Sequence, residues 1–515
     1  MQAKILWVDD EIDLLKPHIL FLQSKGYEVE TINNGGEAIE MCSASLYDIV
    51  FLDENMPGIS GLDALVRIKE IRPEMPIVMI TKSEEEHIME DAIGGKIADY
   101  LIKPVHPNQL LLSLKKNLEQ DKIVSQKVNS NYQQEFRLLG QKIDSCDTIE
   151  EWKQLFQKIV FWELELEKIQ DSGMREILLS QKKEANDLFC RFIEQNYQDW
   201  IEGSADCPEM LHTLLKNRVF PTLQKEKAFL VVIDNLRYDQ WQILKPIIAK
   251  YFTIQNDEVI LSILPTATHY ARNALFAGML PSEIQRLYPK NWVTEEEEDG
   301  KNKYEREFLE ANLQRNGLSL KNSYTKITNL EAGKKLVDTF NQLKNNDFNV
   351  VVYNFVDMLS HARTEMNIIK ELADDEAAYR SLTASWFEHS PLQDILKKIA
   401  DGGFKLFITT DHGSVKVNNP IKIVGEKTTN SNLRYKVARN LSYKEKEVFA
   451  VRDPKAIGLP KSSVSAEFVF AKENDFFVYP NNYNHFVNYY MDTFQHGGVS
   501  LEELMIPFVE LVPKK

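Results

Sequence analysis

Along the first stretch of the chain, short apolar runs alternate with amphipathic ones. AKILWV, YEVETI, DIVFLD, PIVMIT and DYLI each read as a buried strand. Between the first two, Leu14 to Lys25 repeats apolar residues at helical spacing. Five such strand–helix units in about 120 residues predict a doubly wound parallel sheet of the flavodoxin-like kind. From about Leu111 to Gln224 strand signals give way to helical periodicity. Thr148-Ile-Glu-Glu151 has the form of a capping box, a second helix is expected from about Met174 to Ile201, and Pro208 is expected to open a third. Trp152, Phe156, Ile159 and Trp162 recur at helical spacing, as a bundle core or as a partner-binding face. Beyond Gln224 the strands return. Ala228–Asp234, Val350–Asp357 and Phe404–Gly413 each contain an apolar run closed by an aspartate. The pattern predicts three domains, residues 1–120, 121–220 and 221–515: α/β, then a helical bundle, then α/β again.

Groups at the carboxyl ends of parallel strands gather in one crevice, so the chemistry is sought there. In the first domain Asp9, Asp10 and Asp53 crowd three carboxylates together, which calls for a hard cation, and Mg²⁺ is expected. Asp53 is placed to accept a phosphoryl group, Lys103 to pair with it, and Thr81 to hydrogen-bond one of its oxygens. In the third domain Asp411-His412-Gly413 closes its strand with a carboxylate beside an imidazole, a combination suited to metal binding. Asp234 and Asp357 close the other two strands, and His361 follows Asp357 by one helical turn. The turn Pro265-Thr266-Ala267-Thr268 leads into a helix, where a hydroxyl lies near backbone N–H groups that can receive phosphate oxygens. Capping is the plainer role of such a threonine. Hydroxyl attack at neutral pH needs a metal to stabilise the alkoxide, and a second metal would stabilise the leaving oxygen. Arg237 either contacts phosphate or forms a structural ion pair. Arg434, Lys436 and Arg439, interleaved with Tyr435, suit a substrate with several phosphates such as an oligonucleotide, or else form a solvated strand face.

Composition narrows the classes. At 515 residues the chain is too long for one core, and no apolar run approaches the roughly 20 residues of a membrane span. A net charge of −16 argues against broad nonspecific DNA binding, and no helix-turn-helix stands out. The chain enters its first strand with no basic region or cleavage site, and its four cysteines lack CxxC spacing, so a cytoplasmic protein is expected.

With the pair Asp9-Asp10, DENMPG from Asp53, Thr81, and Lys103-Pro104 in that order, the first domain resembles response regulator receiver domains over its whole length. The resemblance implies phosphorylation of Asp53 by a histidine kinase, with Tyr100 as the aromatic that changes rotamer on activation. Lys82 departs from the pattern, since a small residue usually follows the switch threonine. From about Gln224 onward the chain resembles the PglZ-type branch of the alkaline phosphatase superfamily. The matching motifs are VIDNLRYD, PTAT, the DxxxH of Asp357 and His361, TTDHG, and HGGVSLEELMIP from His496. That implies two zinc ions, one held by Asp234, Thr268, Asp411 and His412, the other by Asp357, His361 and His496. It also implies Thr268 as the nucleophile rather than Thr266. The three segments in this order resemble the PorX-type response regulators of type IX secretion. This implies a kinase of the PorY type, a sigma-factor partner, a phosphorylation-dependent homodimer and nucleotide or oligonucleotide substrates. A phosphorylation-controlled metal phosphodiesterase is therefore expected. The rival is a binding module whose metals only hold the fold and whose output is contact with a sigma factor; an intact Thr268 favours the enzyme.

Overall fold

A computed structural model describes residues 3–82, 97–118, 120–169, 172–294, 300–365, 375–425, 430–461, 463 and 465–514, with the side chains of 120–126, 129, 172 and 361–365 outside that description. The chain divides into two compact units, Met1–Tyr132 and Gln133–Lys515.

In the first unit β1 (Lys4–Val8), β2 (Glu28–Ile32), β3 (Ile49–Asp53), β4 (Ile77–Thr81) and β5 (Asp99–Ile102) form a parallel sheet in the order β2-β1-β3-β4-β5. Side chains alternate across a strand, so β1, β3 and β4 need apolar residues at every position to bury both faces. Leu6, Val8, Val50, Leu52 and Met79 pack with residues of α2 (Gly35–Ala44) and α3 (Gly61–Ile71). Ile5, Trp7, Ile49, Phe51 and Val78 pack with residues of α1 (Lys16–Ser24) and α4 (Pro107–Leu118). The expected doubly wound α/β arrangement is present. It sets Asp9, Asp53 and Thr81 at the carboxyl ends of β1, β3 and β4.

Helix α5 (Gln120–Ser145) runs through the division between the units. Helices α6 (Ile149–Lys168) and α7 (Ser172–Ile201) belong to the second unit. The α6 capping box forms as expected: the Thr148 side chain accepts from the Glu151 N–H, and the Glu151 carboxylate accepts from the Thr148 N–H. Trp152, Phe156, Ile159 and Trp162 are buried. The Phe156 ring lies 5.8 Å from that of Tyr238, and Gln157 donates to the Tyr238 hydroxyl. The helices are thus packed onto the α/β layer that follows, not held apart from it. Pro208 does not open the third helix. Met210 bridges Leu261 as an extended residue first, and the helix begins at Leu211.

The main sheet of the second unit has the order β7-β18-β10-β6-β9-β8, from β6 (Ala228–Ile233), β7 (Phe252–Leu261), β8 (Asn322–Ile327), β9 (Phe348–Tyr353), β10 (Lys405–Thr409) and β18 (Met505–Pro513). Only β18 runs antiparallel to its neighbours. It therefore starts at the edge where the others end, so residues 496–504 arrive beside the carboxyl ends of β6, β7, β9 and β10. β6, wholly apolar, and β9, apolar but for Asn349, sit inside the sheet, buried along their whole length. Short strands complete the unit: β11 (Val415–Lys416) with β17 (Phe494–Gln495), β12 (Asn419–Lys422) with β16 (Asp475–Val478), and a sheet of β13 (Tyr435–Arg439), β15 (Ala466–Ala471) and β14 (Val448–Val451).

Candidate metal and phosphoryl-transfer sites

Two carboxyl ends of the large sheet meet at one point. Asp234 follows β6, Asp411 and His412 follow β10, and a ligand atom of each lies within 4.8 Å of the others, all buried. Thr268 opens helix α8 (Thr268–Ala277) after the turn that leaves β7. Its Oγ1 is 3.0 Å from His412 Nε2 and 3.3 Å from Asp234 Oδ1. Burial, and next the neighbouring Asp411 charge, push the Asp234 carboxyl upward against the pull of Arg272 and His412. Asp411 Oδ2 is buried and has no hydrogen-bond partner among the described residues, while Arg272 Nη1 stands 3.9 Å away. Crowded carboxylates, an orphaned carboxylate oxygen and an imidazole make a donor set that fits a divalent cation.

Outer contacts fix the ring tautomers. His412 Nδ1 faces its neighbour's carbonyl, Gly413 O, at 3.0 Å, and His496 Nδ1 faces Thr266 O at 3.1 Å. Each ring then donates through Nδ1 and turns Nε2 inward, the orientation a metal-binding histidine requires. His496 Nε2 is 3.7 Å from Asp357 Oδ1, and the two histidine rings stack with centroids 4.2 Å apart. Asp357 and His496 are thus brought together beside the first cluster. The His361 side chain lies outside the described residues.

Two residues that the sequence reading passed over, Arg272 and Asn235, organise the site together with Thr266. Arg272, one turn after Thr268, binds Asp234 and Glu305, and both ion pairs are buried. Asn235 has φ +63, a left-handed conformation that Asn tolerates. In that turn its N–H donates to Asp411 Oδ1 and its amide, at 3.4 Å, to Asp357 Oδ1, so one residue touches both groups. Thr266 is a latch: its Oγ1 donates to Gly498 O and accepts from Gly497 N–H. The motif ARNALFAG and the Asn after Asp234 were the available signals. Neither says which distant carboxylate the side chain meets.

The proposed substrate contacts require correction. Arg237 is buried and bidentate on Asp239, with Glu376 at 3.1 Å, so the ion-pair alternative holds. Arg434 is fully buried, binding Glu503 and the carbonyls of Lys472 and Asp475. Lys436 is buried too; its amine donates to Asn430 O beside the Tyr479 ring, and burial pushes it down to about 7. Neither the expected phosphate contact nor the alternative of a solvated strand face holds for these two, since both side chains are buried. Arg439 is exposed at the strand end. His269, beside Thr268, is stacked on Trp292 at 4.8 Å.

In the first unit Asp9, Asp10 and Asp53 also offer ligand atoms within 4.8 Å of one another. Lys103 Nζ lies 2.8 Å from Asp9 Oδ2 and 3.0 Å from Asp53 Oδ1. Burial pushes the Asp53 carboxyl up to about 6 while Lys103 pulls it back. Thr81 is buried at the end of β4, and half-buried Tyr100 shares a side-chain hydrogen bond with it. Lys82 pairs with Glu11 at 2.9 Å, both exposed at the rim.

Comparison with known proteins matches three successive segments of the chain. The profile of the response regulator receiver domain matches residues 5–115. That of the PorX response regulator linker domain matches 122–201, and that of the BREX system PglZ alkaline phosphatase-like domain matches 214–511. The alginate biosynthesis transcriptional regulatory protein AlgB of Pseudomonas syringae pv. tomato is 36% identical over 118 residues, 23% of this chain and 26% of that one. The transcriptional regulatory protein ResD of Bacillus subtilis is 32% identical over 114 residues, 22% of this chain and 47% of its own. The chain thus spans less than half the length of these relatives. A CheY-like response regulator receiver domain protein from Methanospirillum hungatei, 27% identical, covers 23% of this chain and 96% of its own with a TM-score of 0.23. With the PglZ profile spanning more than half of its residues, the chain belongs to the PglZ alkaline phosphatase-like family and carries that domain in the receiver–linker–PglZ order of PorX-type response regulators.

Proposed function

We propose that this protein is a two-component response regulator, phosphorylated on Asp53, whose output is a zinc-dependent phosphodiesterase acting on nucleotides or oligonucleotides. The observation that carries the enzymatic reading is the Thr268 hydroxyl. It stands at a helix N-terminus within 3.3 Å of both Asp234 and His412, where a site serving only the fold needs no nucleophile. Asp234, Thr268, Asp411 and His412 would hold one zinc ion, and Asp357, His361 and His496 the other. When bound, the pair supplies alkoxide and leaving-group stabilisation. The chain's own groups do the rest. Thr268 gives up its proton to solvent and its Oγ1 attacks phosphorus, the ester oxygen departs and leaves protonated as an alcohol, and water then cleaves the Thr268–phosphorus ester to free a phosphate monoester and restore the hydroxyl. Arg272 and Asn235 hold Asp234, Asp411 and Asp357 in place, and Thr266 holds the His496 loop. In the receiver, Asp9, Asp10 and Asp53 would hold Mg²⁺, with Lys103 and Thr81 meeting the phosphoryl oxygens and Tyr100 repacking.

The PorX-type order supports a setting in type IX secretion, with a kinase of the PorY type, a sigma-factor partner and a phosphorylation-dependent homodimer. No helix among the described residues is long and apolar enough to cross a membrane; a cytoplasmic location fits the proposed partners. The test is metal analysis of the purified chain together with a screen of phosphate mono- and diesters. Zinc at about two per chain and diester hydrolysis abolished by Thr268→Val are expected. A zinc-loaded protein inert toward every ester, yet bound to a sigma factor, would establish the binding-module reading instead.

A further inference from the structure

The loop that carries His496 is held from two sides, and only one of them belongs to the catalytic sheet. On the sheet side are the Thr266 latch and Glu503, which accepts from Gly498 N–H and pairs with buried Arg434. On the other side is α7, a helix of the linker segment. Three of its residues, spaced four apart and therefore on one face, meet three residues of the loop. Lys182 Nζ is 3.0 Å from Glu502 Oε1. Asn186 accepts from Leu501 N–H at 3.0 Å and donates to Glu502 Oε2 at 3.2 Å. Cys190 Sγ donates to Val499 O at 3.2 Å. Asn186 is 2% exposed, so each bond it makes replaces water that cannot return.

We propose that Asn186 is a positioning residue for the second metal site, so that the linker helix decides whether His496 reaches Asp357. Asn186 satisfies a backbone donor and a carboxylate of the same turn with its two amide atoms, which fixes both the height and the rotation of that turn against α7. Lys182 pins the helix register, since it also pairs with Glu163 on α6 and with Glu376. A cleft of about 990 Å³ borders the contact and is lined by Lys182, Asn186, Glu376 and Glu502. It leaves space on that side into which the turn can shift once Asn186 lets go. From Leu501 the chain runs back through Gly497 to His496, four residues before Ser500 caps the following turn. A displaced turn therefore carries the imidazole with it.

This inference rests on the two-metal reading, and its test separates the two. Hydrogen–deuterium exchange on the full chain compares wild type, Asn186→Ala, Asn186→Asp, and Glu184→Ala on the exposed face of the same helix. Zinc titration follows on each. Asn186→Ala should lose protection at the Leu501 amide and across residues 496–502, with β6 and β10 unchanged. Zinc affinity should fall about 10–100-fold at one site only. Asn186→Asp keeps the acceptor for Leu501 N–H and should retain that amide's protection while weakening zinc at the same site, because it faces Glu502. Glu184→Ala should match wild type. Unchanged protection and affinity in Asn186→Ala would overturn the proposal, and so would equal loss of protection throughout the sheet. A wild type that takes up no zinc would sink the metal reading, while loop protection would still report on Asn186.

Discussion

The chain holds two acidic centres built on the same principle and finished differently. In both, aspartates at the ends of parallel strands are crowded beyond what water would permit. In the receiver a single lysine on a strand-end turn, Lys103, bridges Asp9 and Asp53, and Asp10 stands exposed at the mouth. In the PglZ domain the balancing arginine is buried and itself held by Glu305. Both histidines are locked by backbone carbonyls, and a loop from a distant strand closes the far side. The receiver centre is made of parts that can move toward an incoming phosphoryl group. The second centre is over-determined, each of its polar groups being fixed by a buried partner.

The largest expected effect is Asp411→Ala with His412→Ala. Metal analysis should show one zinc equivalent lost and hydrolysis lowered by about 10⁴-fold or more. Asp9→Ala in the receiver should leave both readouts intact; a full zinc complement in the double variant would end the assignment. Next come the two balancing cations. Arg272→Met takes from buried Asp234 its paired cation, leaving Glu305 to pair with Lys326, and should cost about 3–5 kcal/mol in urea unfolding of the metal-free protein. Lys103→Met should cost about 1–3 kcal/mol and be recovered by millimolar Mg²⁺. If Mg²⁺ recovered Arg272→Met as well, the contrast between the centres would fail. Third is Thr266→Val, at the threonine that is not the expected nucleophile. It orphans Gly497 N–H and Gly498 O, so kcat should fall about 10–100-fold, with Thr266→Ser close to wild type. Smallest is Lys82→Ala: the exposed pair with Glu11 should add nothing measurable to the unfolding midpoint, while the lifetime of phosphorylated Asp53 shortens as water reaches the rim. Light scattering with beryllofluoride and Mg²⁺ reads the remaining step, with wild type dimerising and Asp53→Ala staying monomeric.

The sequence by itself determined which strands exist and which residues end them. An uninterrupted apolar run can only be a strand buried on both faces, and a carboxylate at its end has to lie in the crevice. That is why Asp9, Asp53, Asp234 and Asp411 were legible, and why the Thr148 capping box, a strictly local device, formed as read. Tertiary structure decided who meets whom. Arg434 and Lys436 carry charge on a strand that reads as solvated, yet Glu503 and a covering loop bury them. Arg272, Asn235, Thr266 and Asn186 read as ordinary helix and turn residues. Asn235, Thr266 and Asn186 act through partners more than a hundred positions away, and Arg272 through Asp234 and Glu305, 38 and 33 positions away; no local periodicity encodes these pairings. The helices of 133–201 are the clearest case. Their apolar spacing announced a buried face, but only the fold showed that the face they cover includes the loop that carries His496.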